Sequence, residues 1–259
     1  MDRGKREISP SKQIAYTAIL CALLIGGQYV FSFVTGVEVV TVLLACFAYV
    51  AGVKPGVMCA VSFSLLRCFI FGFYPNVIIL YLIYYPAFAA TFGFMGKSGG
   101  ASEAFFAVAV NVFLIAVAAL CLTAYFMGAI AVSRILKATL NAFLWVIFAL
   151  SVALLTAFDA LLFAKKAYGK NTSAALKVIA YATVAAVFTV IFTLLDDVIT
   201  PLVSGYGQGA WDAYFYGSFA AMLPQTVCAI VTVTTLYLPL TGLFNRFFSP
   251  RDTKNILKR

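Results

Sequence analysis

The stretch Ile14–Val34, IAYTAILCALLIGGQYVFSFV, contains no charged residue and is the segment that decides the fold class. A helix of about 20 residues rises about 30 Å, which is the thickness of the hydrocarbon core of a bilayer. A backbone in hydrocarbon must satisfy its own hydrogen bonds, so such a span is helical. The run is too long for a signal peptide and lacks a small-x-small cleavage site. It therefore predicts a retained membrane-spanning helix.

The composition of the whole chain agrees with this prediction. Of its 259 residues, 64% are hydrophobic and 10% are charged, and the mean hydropathy is +1.02. Soluble domains are about half apolar and about a quarter charged. The composition excludes a cytosolic enzyme, a disordered tail and a nucleic-acid-binding module. It indicates a protein whose solvent is the lipid bilayer.

Seven further apolar runs follow the first, separated by short polar breaks. They predict an all-α, polytopic membrane helical bundle of about eight transmembrane helices, forming a single integral membrane domain over residues 1–259. After 14–34, the predicted helices are 38–53, 56–73, 77–96, 103–130, 138–164, 174–199 and 215–241.

The basic residues fall mainly on one side of this bundle. With eight spans, 15 of the 18 lysines and arginines lie in the two termini and in the breaks on the same side as the termini. Because cytoplasmic segments are enriched in lysine and arginine, this asymmetry predicts a multi-pass plasma-membrane protein with both termini cytoplasmic. The net charge of +9 thus reflects membrane orientation.

Residues that commonly carry catalysis or bind metals are scarce. The chain has no histidine, and its six cysteines lie in apolar segments without a CxxC pair, which indicates buried small hydrophobic side chains. The segment 91–98 ends like a nucleotide-binding loop, but it closes a membrane helix and does not follow a strand. We therefore expect no catalytic residue, metal or cofactor.

Polar and aromatic residues gather in the predicted outer half of the bundle. An ionisable group in a membrane span is costly and is a candidate functional residue. Aromatic faces and a few polar groups could form a small-molecule pocket. Alternatively, the aromatic residues form an interfacial belt, and Glu38 or Asp196 forms a structural ion pair with Arg67. The candidate substrate-binding residues are Glu38, Arg67, Tyr74, Asn76, Tyr81, Asp196, Asp197, Trp211 and Gln225.

Small residues form a stripe on the first predicted helix. Ala18, Ala22 and Gly26 share one face at i, i+4 and i+8, and Ala15 lies nearby. Small residues let another helix approach closely in lipid. The stripe predicts either internal packing or a face that docks onto another membrane protein.

Several of these segments resemble the substrate-binding S components of energy-coupling factor (ECF) transporters. The resemblance covers 11–97 through the Ala18-x-x-x-Ala22 helix, the entry 36–41, the turn 52–56 and the break 71–76. The segments 194–201 and 221–225 are similar to the last two helices of one branch of that family. It implies a six-helix core over 11–97 and 173–245, an inserted helical hairpin over 103–166 and a basic cytoplasmic tail over 246–259.

The resemblance also implies a function. An S component captures a vitamin or related small micronutrient at the extracellular side and docks onto a transmembrane coupling protein with two cytosolic ATPase subunits. ATP hydrolysis then topples the S component and presents its site inward. The family docks through the small-residue face of its first helix, which here implies Ala18 and Ala22.

Two other functions remain open. One is a stand-alone, ion-coupled secondary transporter, although no internal repeat is evident and the acids lie at the outer edge. The other is a membrane enzyme with Asp196 and Asp197 as metal ligands. Adjacent residues on a helix point about 100° apart and would share one ion poorly.

Overall fold

The computed structural model describes residues 10–33, 39–97, 100–127, 134–168 and 173–248. Every regular element within these ranges is an α-helix, in agreement with the all-α prediction. The eight described helices are α1 (Pro10–Phe31), α2 (Val39–Ala51), α3 (Val53–Phe71), α4 (Pro75–Lys97), α5 (Gly100–Met127), α6 (Arg134–Tyr168), α7 (Ser173–Ser204) and α8 (Gln208–Phe248).

Two helices extend past prolines at which a boundary was expected. Pro55 does not delay α3, which begins at Val53, because the first turn of a helix tolerates a residue without a free N–H. Pro201 does not end α7, which continues to Ser204. The helix α8 begins at Gln208, seven residues before the predicted start.

Six of the described helices are long and apolar enough to cross a bilayer, which makes the chain a multi-pass membrane protein by length and composition. The candidate spans are Ser11–Phe31, Val53–Phe71, Pro75–Gly96, Leu144–Ala164, Ala174–Ser204 and Pro224–Phe247. The segments Val39–Ala51 and Val110–Thr123 are apolar but shorter.

The chain divides into two compact units. The first, Met1–Lys97 with Leu236–Arg259, contains α1 to α4 and the C-terminal part of α8. Its core holds fully buried aromatic side chains, among them Phe47, Phe63, Phe88 and Phe92. The second, Ser98–Thr235, contains α5 to α7 and the N-terminal part of α8. Its core includes Val110, Leu114, Phe158, Leu176 and Ala180.

Glycines allow α4 to lie close to its neighbours in the first unit. A Cβ added at Gly93 would lie 2.7 Å from the Val53 backbone, and one added at Gly96 would collide with the Tyr49 carbonyl oxygen. Gly52 has φ of 95°, a conformation that other residues rarely adopt, and it makes the turn between α2 and α3. These glycines explain the string that resembled a nucleotide-binding loop, since two of them are contact points between helices.

Candidate ligand-binding site

Arg67 lies near the end of α3 in a setting that fixes its guanidinium plane. Its Nε donates a hydrogen bond of 3.1 Å to Gln28 Oε1, and Gln28 Nε2 donates one of 3.4 Å to the Tyr81 hydroxyl. The guanidinium carbon lies 4.3 Å from the ring centre of Tyr81 and 5.0 Å from that of Phe71. The structure thus brings together two predicted site residues, Arg67 and Tyr81, and adds Gln28.

The Tyr81 ring is itself held by its neighbours in the first unit. It lies edge-on to Tyr85 at 4.9 Å between ring centres and stacks with Phe63 at 6.4 Å. Ser64 Oγ donates to the Tyr81 carbonyl oxygen over 3.1 Å. A cation over an aromatic face gains about 0.5–2 kcal/mol, depending on its desolvation. A planar cation held in this way suits a carboxylate or phosphate, and it also stabilises the packing of α1, α3 and α4.

Asp196 lies on α7 in the second unit and has a hydroxyl donor on each carboxylate oxygen. Thr200 Oγ1 donates to Oδ1 over 2.6 Å, and the Tyr214 hydroxyl donates to Oδ2 over 2.7 Å. Both donors are neutral. Among the described residues, both oxygens thus accept hydrogen bonds from neutral groups, and the alternative pairing of Asp196 with Arg67 stays a prediction.

Asp197 is more deeply buried than Asp196, and only 2% of its surface is exposed. Ser218 Oγ donates to its Oδ2 over 2.8 Å. Its Oδ1 is buried and accepts no hydrogen bond from any residue that the structure describes. A buried carboxylate oxygen without a donor is costly, since a lost partner for a polar group is worth about 1–3 kcal/mol and more for a charged one.

One face of α8 carries two of the three donors to this acid pair. Trp211, Tyr214, Ser218 and Gln225 follow at i, i+3, i+7 and i+14, a spacing that places them on the same side of a helix. Trp211 and Gln225 are half-buried. The candidate site residues chosen from the sequence include these two but not Tyr214 and Ser218 between them. The helical spacing was the signal that could have found both.

The phenol of Tyr214 lies outside the candidate span of α8, which begins at Pro224. Burial and the hydrogen bond to Asp196 raise the pKa of Tyr214 to about 12. Its hydroxyl therefore keeps its proton, and remains a donor, throughout the physiological range.

Two further predicted residues lie at or just before the start of α4. Tyr74 is 59% exposed and precedes α4, where its carbonyl oxygen accepts from the Ile78 N–H over 3.0 Å. Asn76 is half-buried in the first turn of α4. Glu38 lies outside the described residues.

The predicted docking residues are all exposed. Ala15, Ala18, Ala22 and Gly26 lie on the outer face of α1, and a Cβ added at Gly26 would meet nothing within 4 Å. The opposite face of α1 is buried and includes Thr17, Leu20, Cys21 and Leu24. Among the described residues of the first unit, the stripe is therefore not used for close packing.

A cavity of about 70 Å³ lies in the second unit among α5, α6, α7 and α8. Its lining is mainly aliphatic, and Asp196 and Asp197 do not contribute to it. The hydroxyls of Thr183 and Thr226 in its wall donate to carbonyl oxygens of their own helices over 2.9 and 2.7 Å. The cavity is thus an apolar space.

No group of three or more histidine, cysteine, aspartate or glutamate residues that could hold a metal ion is found in the described part of the chain. Asp196 and Asp197 are bonded to different hydroxyls, as expected from their directions on the helix. Comparison of the chain with protein-family models, curated proteins and solved structures finds no match.

Proposed function

We propose that this chain is the substrate-specific membrane subunit of an ECF-type ABC importer. It captures a vitamin or related small micronutrient at the extracellular side. It delivers that molecule inward when docked to a transmembrane coupling protein and two cytosolic ATPase subunits, with both of its own termini in the cytoplasm. The observation that carries the proposal is the exposed small-residue face of α1.

That face favours a partner over internal packing. All four residues of the stripe are exposed, whereas the opposite side of α1 is buried against its own chain. Small residues allow close approach of a second helix in lipid, where van der Waals contact is a main source of association. Because the sequence contains no nucleotide-binding motif, energy for uptake would come from such a partner.

Each unit holds one cluster of polar groups suited to capture of a ligand. Arg67 with Gln28 and Tyr81 forms one, and Asp196 with Asp197 forms the other. In both, a neighbouring helix supplies part of the orienting contacts: α1 and α4 for Arg67, and α8 for Asp196 and Asp197. Groups held in this way lose little freedom on binding, which favours high affinity.

Uptake by the reconstituted protein tests the proposal. Proteoliposomes containing the chain alone should bind a small molecule from cell extract but not accumulate it. Accumulation should require the coupling protein, both ATPases and ATP. Native mass spectrometry of the gently purified chain should show a small molecule bound to it. ATP-independent accumulation by the chain alone would refute the proposal.

The alternative, a stand-alone ion-coupled secondary transporter, is favoured by one observation. Asp197 is a buried ionisable residue inside the candidate span Ala174–Ser204, and such residues often take part in proton or ion relays. Uptake by the chain alone that collapses when the proton or sodium gradient is dissipated would establish this function instead.

A further inference from the structure

The four oxygens of the acid pair are unequally bonded. Three of them each accept a hydrogen bond of 2.6 to 2.8 Å from a hydroxyl group, those of Thr200, Tyr214 and Ser218. The fourth, Asp197 Oδ1, is buried and has no donor among the described residues. Since buried polar groups in folded proteins are nearly always hydrogen-bonded, this oxygen marks the place of a missing donor.

The charge of the pair is also uncompensated by its observed contacts. All three donors are neutral hydroxyls, although two neighbouring carboxylates concentrate negative charge in a poorly hydrated region. Lys177 is a described basic residue on the same helix, but it lies 20 residues away, which is about 30 Å along the helix axis. A buried charge is ordinarily paired.

We infer that Asp197 Oδ1 receives a positively charged N–H group of the captured molecule, so that the substrate is a small organic cation carrying a protonated amine or amidinium. This inference rests on the proposed function and names its substrate class. The cation supplies both the missing donor and the missing charge.

An inorganic cation fits this site less well. Mg²⁺ usually keeps several bound waters and Ca²⁺ takes six to eight oxygen ligands, whereas Asp197 Oδ1 is buried away from water. If Oδ1 were protonated, its O–H would itself need an acceptor. Protonation would therefore still leave an unpaired polar group. One N–H of a protonated amine or amidinium pairs with this acceptor, and the positive charge of the group offsets the negative charge of the acid pair.

Three probes of nearly equal shape separate charge from hydrophobic contact. Benzylammonium, benzyl alcohol and benzoate are each added to the full-length protein in detergent, and its melting temperature is followed. We expect benzylammonium to raise the melting temperature and the alcohol and benzoate to have no such effect. Equal stabilisation by the alcohol, no stabilisation by benzylammonium, or the same stabilisation by sodium chloride would overturn the inference without any variant being made.

Two carboxylate variants locate the effect. Asp197→Asn keeps the shape of the side chain but removes the charge, and we expect benzylammonium binding to weaken about tenfold or more, as for loss of a charged hydrogen bond. Asp212→Asn removes an exposed carboxylate of α8 and should bind as the wild type does. Unchanged binding by Asp197→Asn would contradict the inference.

Identifying the native ligand separates this inference from the proposed function. A neutral or anionic molecule released from the purified wild-type protein would leave the capture function standing and refute the cationic class. Conversely, ATP-independent uptake of an organic cation would refute the importer assignment while supporting the role of Asp197.

Discussion

The Tyr214 hydroxyl links α8 to Asp196 on α7 through a hydrogen bond of 2.7 Å. A half-buried carboxylate that accepts hydrogen bonds from two hydroxyls needs both of them in place of the water that it has lost. Such contacts can maintain the fold, position a ligand, or do both. Conservative variants distinguish these roles, because they remove one atom or one charge at a time.

Replacing Tyr214 with phenylalanine removes one donor to Asp196 and keeps the ring. We expect the free energy of unfolding to fall by about 1–3 kcal/mol, because a carboxylate oxygen loses its partner. Burial and the hydrogen bond to Asp196 raise the pKa of Tyr214 to about 12. Its raised pKa contributes stability that is complete below about pH 10 and is lost as the pH rises toward 12.

Thermal unfolding of the wild-type and Tyr214→Phe proteins between pH 6 and pH 9 measures this effect. The difference should be constant over that range. A difference that disappears within it would mean that the phenol does not hold its proton against Asp196. Tyr206→Phe is the matched control, since the Tyr206 ring packs edge-on to Tyr214 at 5.9 Å.

Arg67 is expected to act on ligand retention. Replacing it with alanine should abolish retention of the bound molecule and leave expression intact, because the residue is a candidate binding group. Arg67→Lys keeps the charge but loses the planar group that lies 4.3 Å from the Tyr81 ring centre. We expect it to retain less ligand than the wild type.

Native mass spectrometry gives the bound fraction, and size-exclusion chromatography reports folding. If Arg67→Ala instead aggregates while Arg67→Lys folds and retains ligand fully, the cluster with Gln28 is a structural contact.

The sequence predicts the helices themselves but not the side-chain contacts between them. Long apolar runs predicted all eight described helices, because their length and hydrophobicity depend on local sequence alone. The contact of Gln28 with Arg67 joins residues 39 positions apart, and that of Ser218 with Asp197 joins residues 21 apart. Such pairs depend on how helices rotate against each other, which hydrophobicity does not specify.

The glycines of α4 and α1 provide a test of close packing between helices. Gly96→Ala would place a Cβ against the Tyr49 carbonyl, whereas Gly26→Ala would place one in open space. Overpacking against backbone costs about 1–3 kcal/mol, so we expect a clear loss of thermal stability for Gly96→Ala. Gly26→Ala should leave stability unchanged or slightly higher. Equal melting temperatures for the two variants would contradict the close approach of α4 to α2.

The exposed face of α1 predicts a defect in assembly that leaves binding intact. Ala22→Trp adds a bulky ring to the stripe and should prevent the chain from co-purifying with the coupling protein and ATPases. The control Leu23→Trp changes a residue that is 53% exposed but lies about 100° away around the helix. It should assemble normally. Assembly of both variants at the wild-type level would exclude this face as the docking surface.

At the scale of the whole molecule, orientation in the membrane is the feature on which the proposed function depends. Fifteen of 18 basic residues fall on the side proposed to be cytoplasmic, which predicts that the turn between α7 and α8 lies outside and the turn between α2 and α3 inside. These turns can be probed at exposed positions. A Cβ at Gly207 meets nothing within 4 Å, and Lys54 is exposed in the first turn of α3.

A membrane-impermeant maleimide applied to intact cells should therefore label Gly207→Cys and not Lys54→Cys. Permeabilising the cells should make Lys54→Cys react. The wild-type protein is the control for background, because five of its six cysteines are buried and the sixth is half-buried.

The opposite pattern would place the Asp196–Asp197 end of α7 at the cytoplasmic face, and capture of a molecule from outside would then require a different site. Labelling of both positions from outside would place them on the same side of the membrane. The helices α3 to α7 would then cross it an even number of times, whereas eight spans require an odd number.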